Sequence, residues 1–240
     1  MVFLDRVDAG AQLALELEAL TQEHPVIVAL PRGGVPVAFV IAHALHAPLD
    51  ILAVRKLGAP GNPELGVGAI AEDGTAVLDP RSAGMHGMTQ ATLEETLAVE
   101  SRELRRRVER YRDGRPSVPV KGRTVVIVDD GLATGLTDLA AVRALRNRGA
   151  RGIVVAVPVG SSEAVSMLAR EADRVICLEV PRRLLGVGMW YRDFSPVSDE
   201  QVEALLAEAA RDQTTPAAST RESGAAQAAG LAEDALHGVG

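Results

Sequence analysis

Five short apolar runs recur along the chain, and the first, third and fourth are each followed directly by a segment with helical spacing. They are PVIVAL (25–30), LDILAVRK (49–56), 124–128, 152–158 and 174–179. Each is strand-length and shows little polar alternation, so each needs cover on both faces. The intervening segments include GVPVAFVIAHALH (34–46), 137–148 and 161–170. They place apolar residues at helical intervals, and the helix over 137–148 stops at Gly149. Strands of this kind alternating with helices predict an α/β fold, a parallel doubly wound sheet with helices on both faces. A further amphipathic helix is expected over 8–20. Another is expected over 89–113, where Leu93, Leu97, Leu104, Val108 and Tyr111 recur on one face. Its late run Arg105, Arg106 and Arg107 reads as a solvated face with Glu103–Arg107 pairing.

Between the second strand and the long helix lies a Gly/Pro-rich stretch, 57–79, with room for a short β-hairpin turning at Glu72-Asp73-Gly74. A connection of this length in a compact domain suits a mobile lid, here assigned to 57–88. From residue 211 the chain turns rich in Ala, Ser, Thr and Gly with few large apolar residues. We expect one domain over 1–210 and a disordered tail over 211–240.

Composition narrows the chemistry. The formal charge is −7, which argues against a broad nucleic-acid footprint but not against a local basic pocket. The single cysteine, Cys177, excludes an internal disulfide and any cysteine metal cluster, and reads as a core thiol. The N-terminal apolar run is broken by Asp5 and Arg6, unlike a secretory signal, and no run approaches the length of a membrane span. A cytoplasmic protein with no membrane association is the expectation.

The most informative stretch is VVIVDDGLATGLT (125–137). A buried strand runs into Asp129 and Asp130, at the carboxyl edge where open parallel sheets bind ligands. Gly131 and the loop through Ala133, Thr134, Gly135 and Thr137 then open a helix, whose first N–H groups lack intrahelical partners. Those amides, the close approach allowed by Gly135 and the threonine hydroxyls make a cradle for a phosphate monoester. It is not a Walker loop, since no G-x-x-x-x-G-K-[ST] occurs. The adjacent carboxylates would repel a phosphate but suit vicinal sugar hydroxyls, which donate charge-assisted hydrogen bonds. Together they describe a site for a ribose 5-phosphate moiety.

This stretch resembles the phosphoribosyl pyrophosphate (PRPP) motif of type I phosphoribosyltransferases, and the resemblance extends over most of 1–210. It implies that Asp129 and Asp130 take the ribose hydroxyls, and that Gly131, Ala133, Thr134, Gly135 and Thr137 take the 5-phosphate side. LPRGGVPVA (30–38) resembles the family's pyrophosphate loop, with Arg32 as a cationic fork and Gly33 and Gly34 allowing an unusual backbone path. A non-proline cis peptide at Pro31–Arg32 is expected with it. Arg55 and Lys56, at the end of the second strand, are expected at the pyrophosphate, with the following loop acting as lid. The arrangement is closest to a bacterial subgroup carrying PRGG, VRKLGAPGNPE and VDDGLATG.

LLGVGMWYRDF (184–194) resembles the base-binding stretch of the purine-salvage branch. This implies an acceptor hood over 180–197 with Trp190, Tyr191 and Asp193 in it, although Arg192 stands where that branch has an acid. Ala133 stands where the hypoxanthine/guanine branch has an acidic residue, so 6-oxopurine salvage loses support. The implied activity is a pentosyltransferase that uses Mg²⁺, held mainly through PRPP, and moves ribose 5-phosphate to a nitrogenous base with release of pyrophosphate. Arg32, Arg55 and Lys56 would assist the leaving group, with Asp129 and Asp130 beside the cationic ribose. The alternative is a regulatory protein that senses PRPP without turnover. A homodimer is also implied.

Overall fold

A computed structural model describes residues 2–212. The remaining tail, residues 213–240, lies outside the described residues. Five parallel strands form the central sheet: β1 (Val26–Ala29), β2 (Leu49–Ile51), β6 (Thr124–Val128), β7 (Gly152–Val159) and β8 (Arg174–Glu179), in the order β2-β1-β6-β7-β8. Their side chains alternate between two cores. Ile27, Ala29, Val126 and Val128 face α1 (Arg6–Leu17), α2 (Gly34–Ala44) and α7 (Asp199–Asp212). Val28, Val125, Ile127 and Val155 face α5 (Leu136–Asn147) and α6 (Ser162–Leu168). Burial on both faces explains why β1, β6 and β7 are continuous apolar runs.

The segment 49–56 is not one strand, and the sequence expectation is corrected here. Leu52 N–H still donates to Ala29 O (3.0 Å), but Ala53 N–H turns to the Glu72 carboxylate (3.0 Å) and its carbonyl accepts from Glu72 N–H (2.9 Å). The chain therefore leaves the parallel sheet at Ala53. It continues as β3 (Val54–Ala59) in a separate antiparallel sheet with β4 (Asn62–Ala71) and β5 (Ala76–Leu78). Glu72 can anchor this exit because Arg112 and Arg148 both reach its Oε1, at 2.9 and 3.1 Å. Arg112 also donates to Ile51 O (2.9 Å), which ties the exit to the end of β2.

The stretch read as loop is thus mostly strand, followed by the short helix α3 (Pro80–Met85). Glycines hid β4: Gly68 is needed because a Cβ there would lie 2.3 Å from Val77 O, a close approach of backbones rather than a turn. The turn expected at Glu72-Asp73-Gly74 does join β4 to β5, with Gly74 at φ 89°. The small sheet packs on α4 (Gln90–Arg112) through Leu57, Val67, Ile70 and Leu104. On α4, Glu103 takes both Arg106 and Arg107 at 2.8 Å, so the expected Glu103–Arg107 pair forms, although Arg107 also lines a cleft rather than a wholly solvated face.

The helix α7 was not anticipated. Its Val202, Leu205, Leu206 and Ala209 are buried in the core that also contains α2. They fall at helical spacing, but the acidic, alanine-rich setting resembles the tail that follows. Cys177 is half-buried, donates to Glu179 O (3.2 Å), and burial pushes its thiol up to about 11.

Candidate functional site

The strand order puts β1 beside β6, while the helices that follow them leave to opposite faces, α2 to one and α5 to the other. A crevice opens beyond the carboxyl ends of such a strand pair. Here it is a cleft of about 550 Å³ lined by both loops.

The loop after β1 holds the cis peptide Pro31–Arg32. Gly33 and Gly34 serve a different purpose from the one expected. Gly33 has ordinary helical angles (φ −61°, ψ −32°) and Gly34 already lies in α2. What excludes a side chain is proximity. A Cβ on Gly33 would lie 1.9 Å from Asp130 Oδ2, and one on Gly34 would lie 2.5 Å from Val128 O. Both glycines let the first loop lie directly against the acidic one. The variant Gly33→Ala should therefore displace the Asp130 carboxyl and cost about 1–3 kcal/mol of stability by overpacking. Chemical denaturation checks this, and an unchanged midpoint would contradict it.

After β6, Asp130 N–H donates to Asp129 Oδ1 (2.8 Å). The loop is pinned to the corner after β7: Leu132 N–H donates to Val159 O (2.8 Å) and Ser161 Oγ to Ala133 O (2.8 Å). Gly135, at φ 74°, starts α5 without a capping side chain. The first N–H groups of α5 are therefore left for another acceptor. Thr134 is exposed and Thr137 is half-buried, and both line the cleft. In this state the Thr137 hydroxyl donates to Asp138 Oδ2 (3.2 Å).

Basic side chains line the same cleft. Arg55 and Lys56, at the start of β3, line the cleft with Arg32. Arg55 is ion-paired with Glu100 on α4, and Arg32 lies 3.6 Å from Asp199 at the start of α7. Arg107 of α4 lines the same cleft. The cleft therefore combines the carboxyls of Asp129, Asp130, Asp138 and Glu100 with the guanidinium and ammonium groups of Arg32, Arg55, Lys56 and Arg107.

Three carboxyls share the acidic end. Burial raises Asp129 well above the usual carboxylate range, and neighbouring Asp138 and Asp130 add to the rise. Burial also raises Asp130, with Arg6 pulling it down. Asp138 is pushed up to about 7 by burial, with the Thr137 hydroxyl opposing. Lys56 favours the ionised form of all three. Among the described residues, no three His, Cys, Asp or Glu side chains are arranged to hold a metal ion.

The structure brings Arg32, Gly33, Arg55, Lys56, Asp129, Asp130 and the Gly131–Thr137 loop to one cleft, with Gly34 packed behind them. It does not bring Trp190, Tyr191 and Asp193 there. Asp193 is exposed and accepts from Ser195 N–H (2.9 Å) and Ser195 Oγ (2.6 Å). Trp190 packs with Phe3 and Tyr191 in a small separate core. Tyr191 is buried, and its hydroxyl donates to Asp130 O (2.7 Å). From that segment Val187 is the residue that reaches the cleft. Sequence reasoning passed over Glu100, Arg107, Asp138 and Arg6. Asp138 carried a local signal, one residue beyond the loop, and Arg107 belonged to the arginine run assigned to a solvated face. The others arrive from distant elements.

The model of the phosphoribosyl transferase domain matches residues 4–189. The chain belongs to the phosphoribosyl transferase family. It is 49% identical over 212 residues to a protein named "Putative phosphoribosyl transferase" in each of two Mycobacterium tuberculosis strains, covering 88% of this chain and 48% of theirs. The chain thus spans about half the length of these curated relatives. Among solved structures it is similar to TT1426 from Thermus thermophilus. That likeness has a TM-score of 0.74 and 48% identity, and covers 87% of this chain and 99% of that one.

Proposed function

We propose that this cleft binds the magnesium complex of PRPP and transfers its ribose 5-phosphate to a nitrogen nucleophile, releasing pyrophosphate. One observation carries this: an uncapped helix start led by Gly135 and the Asp129–Asp130 pair line a single cleft with Arg32, Arg55 and Lys56. The α5 amides suit the 5-phosphate, the carboxylates the ribose hydroxyls and the cationic wall a diphosphate. Magnesium is written here as part of the substrate. Mg²⁺ keeps several waters and takes one or two carboxylates plus substrate phosphates rather than a dedicated protein cage.

In this mechanism the bond from C1 to the diphosphate oxygen breaks with its electron pair leaving on the diphosphate. Arg32, Arg55 and Lys56 stabilise that charge. Arg55 must first exchange Glu100 for the ligand, and Arg32 must swing from Asp199. Positive charge develops on the ribose next to Asp129 and Asp130, whose ionised forms favour it. The nucleophile's nitrogen bonds to C1 and its proton leaves to solvent or diphosphate. Residues 57–88, which take in most of the β3–β5 sheet and α3, would act as the lid that excludes water. A homodimer in the cytoplasm belongs to the same proposal.

The test is pyrophosphate release from Mg·PRPP with a panel of nucleobases. Base-dependent release is expected. Saturable PRPP binding with no release from any base would select the sensing role instead, which the lack of an acid/base group at Ala133 favours. Absence of PRPP binding would refute both.

A further inference from the structure

Arg6 is a cation at the site that the proposed chemistry does not use. It is the first residue of α1, its side chain is 11% exposed, and it lies far in sequence from every motif. Nε and Nη2 both reach Asp130 Oδ2 at 2.9 Å, and Nη1 donates to Ser195 O (2.9 Å). The guanidinium lies over the Phe194 ring, 3.9 Å from its centroid, with the Tyr191 ring at 5.9 Å. The same segment is stapled to the N-terminus. Phe3 N–H donates to Trp190 O (2.8 Å), Arg192 N–H to Phe3 O (2.9 Å) and Asp193 N–H to Leu4 O (2.9 Å). The Phe3, Tyr191 and Phe194 rings pack in series at tilted angles, with centroids 5.5 and 5.0 Å apart. Tyr191 holds the Asp130 carbonyl while Arg6 holds its carboxylate.

We propose that Arg6, seated on Phe194 and Tyr191, is a positioning residue that fixes the Asp130 carboxylate in its ionised form with Oδ1 turned to the ligand. The WYRDF stretch then serves as the seat of this guanidinium rather than as a platform for the acceptor. Rigid fork geometry and a stacked face distinguish arginine from lysine in such a place. The use made of Asp130 rests on the proposed PRPP site.

Several groups face Asp130. Arg6 comes from α1, Lys56 from β3, Asp129 from the end of β6, Asp138 from α5, and the Tyr191 hydroxyl from the 190–195 segment. Arg6 and Lys56 favour the carboxylate; Asp129 and Asp138 oppose it.

The variants Arg6→Gln, Arg6→Lys and Phe194→Leu test the proposal in the full chain, with Mg·PRPP and inorganic phosphate as calorimetric probes. Arg6→Gln should bind Mg·PRPP about tenfold or more weakly near neutral pH, from loss of a charge-assisted contact that orders Asp130. The deficit should shrink as pH rises, as Asp130 ionises without help. Arg6→Lys should restore part of the affinity. Inorganic phosphate, a probe of the α5 amides, should bind all three variants as it binds the parent. Equal Mg·PRPP affinity in Arg6→Gln at every pH overturns the proposal, and so does a matching loss of phosphate binding. If Arg6→Gln does not fold, Phe194→Leu decides, with weakening by roughly threefold expected from the lost cation–π contact. Should the parent itself not bind Mg·PRPP, the PRPP site fails. Arg6 is then judged by ¹³C titration of the Asp130 carboxyl in free protein, where an unchanged midpoint in Arg6→Gln refutes its role.

Discussion

The double variant Asp129→Asn/Asp130→Asn should lose Mg·PRPP affinity by about a hundredfold or more while its fold persists. Each carboxylate is assigned charge-assisted hydrogen bonds from ribose hydroxyls, at about 1.5–3 kcal/mol apiece, and each 1.4 kcal/mol is a factor of ten. Asparagine keeps the shape and an acceptor oxygen, so the loss reports charge rather than volume. The fold should survive because burial already disfavours ionised Asp129 and Asp130 in the protein. Neutral amides remove that penalty, although Arg6 loses its anion. Calorimetric titration measures the affinity and circular dichroism the fold. Parental affinity in a folded double variant would remove the ribose assignment, and with it the proposed function.

The second large effect is on stability and concerns Asp138. This side chain is 1% exposed, and its Oδ1 has no hydrogen-bond partner. Its carboxyl is pushed from an ordinary value of 3.8 up to about 7 by burial. Below the unfolded value the acid is neutral in both states and costs nothing. As pH rises from about 4 to about 7 the unfolded chain releases the proton while the folded one retains it, so stability falls. Above about 7 the full penalty applies. Asp138→Asn should therefore stabilise the protein by about 2–4 kcal/mol near pH 8, and by much less near pH 5. For a domain of this size that raises the melting temperature by roughly 5–10 °C at the higher pH. Thermal melts at both pH values test it. An equal shift at the two would mean that packing, not the buried charge, is responsible.

Much of the site was legible because its chemistry is local. Asp129 to Thr137 form one uninterrupted strand–loop–helix unit. Its glycine requirement, its acids and its hydroxyls all reflect backbone geometry within a few residues. The PRGG loop was legible in composition but not in cause. Its glycines turned out to meet Asp130 and Val128 across the switch point, a contact between strands separated by about 100 residues in the sequence. The 49–56 run misled because Leu52 and Val54 look alike to any pattern, while the exit at Ala53 is set by Glu72, itself anchored by Arg112 and Arg148. The aromatic cluster misled in the same way. Its clustering was visible, but its partner, Arg6, lies near the opposite end of the described chain.

From sequence alone came the parallel α/β sheet, the location of an uncapped helix start at a strand end, and its neighbouring carboxylates. These follow from apolar periodicity and from the unpaired amides of a helix start, both short-range properties of the chain. Tertiary structure alone decided which cations face those acids, which carboxylate is clamped, and that Asp138 is buried without a full set of partners. Such facts depend on desolvation and on side chains meeting from distant elements, and local sequence order encodes neither.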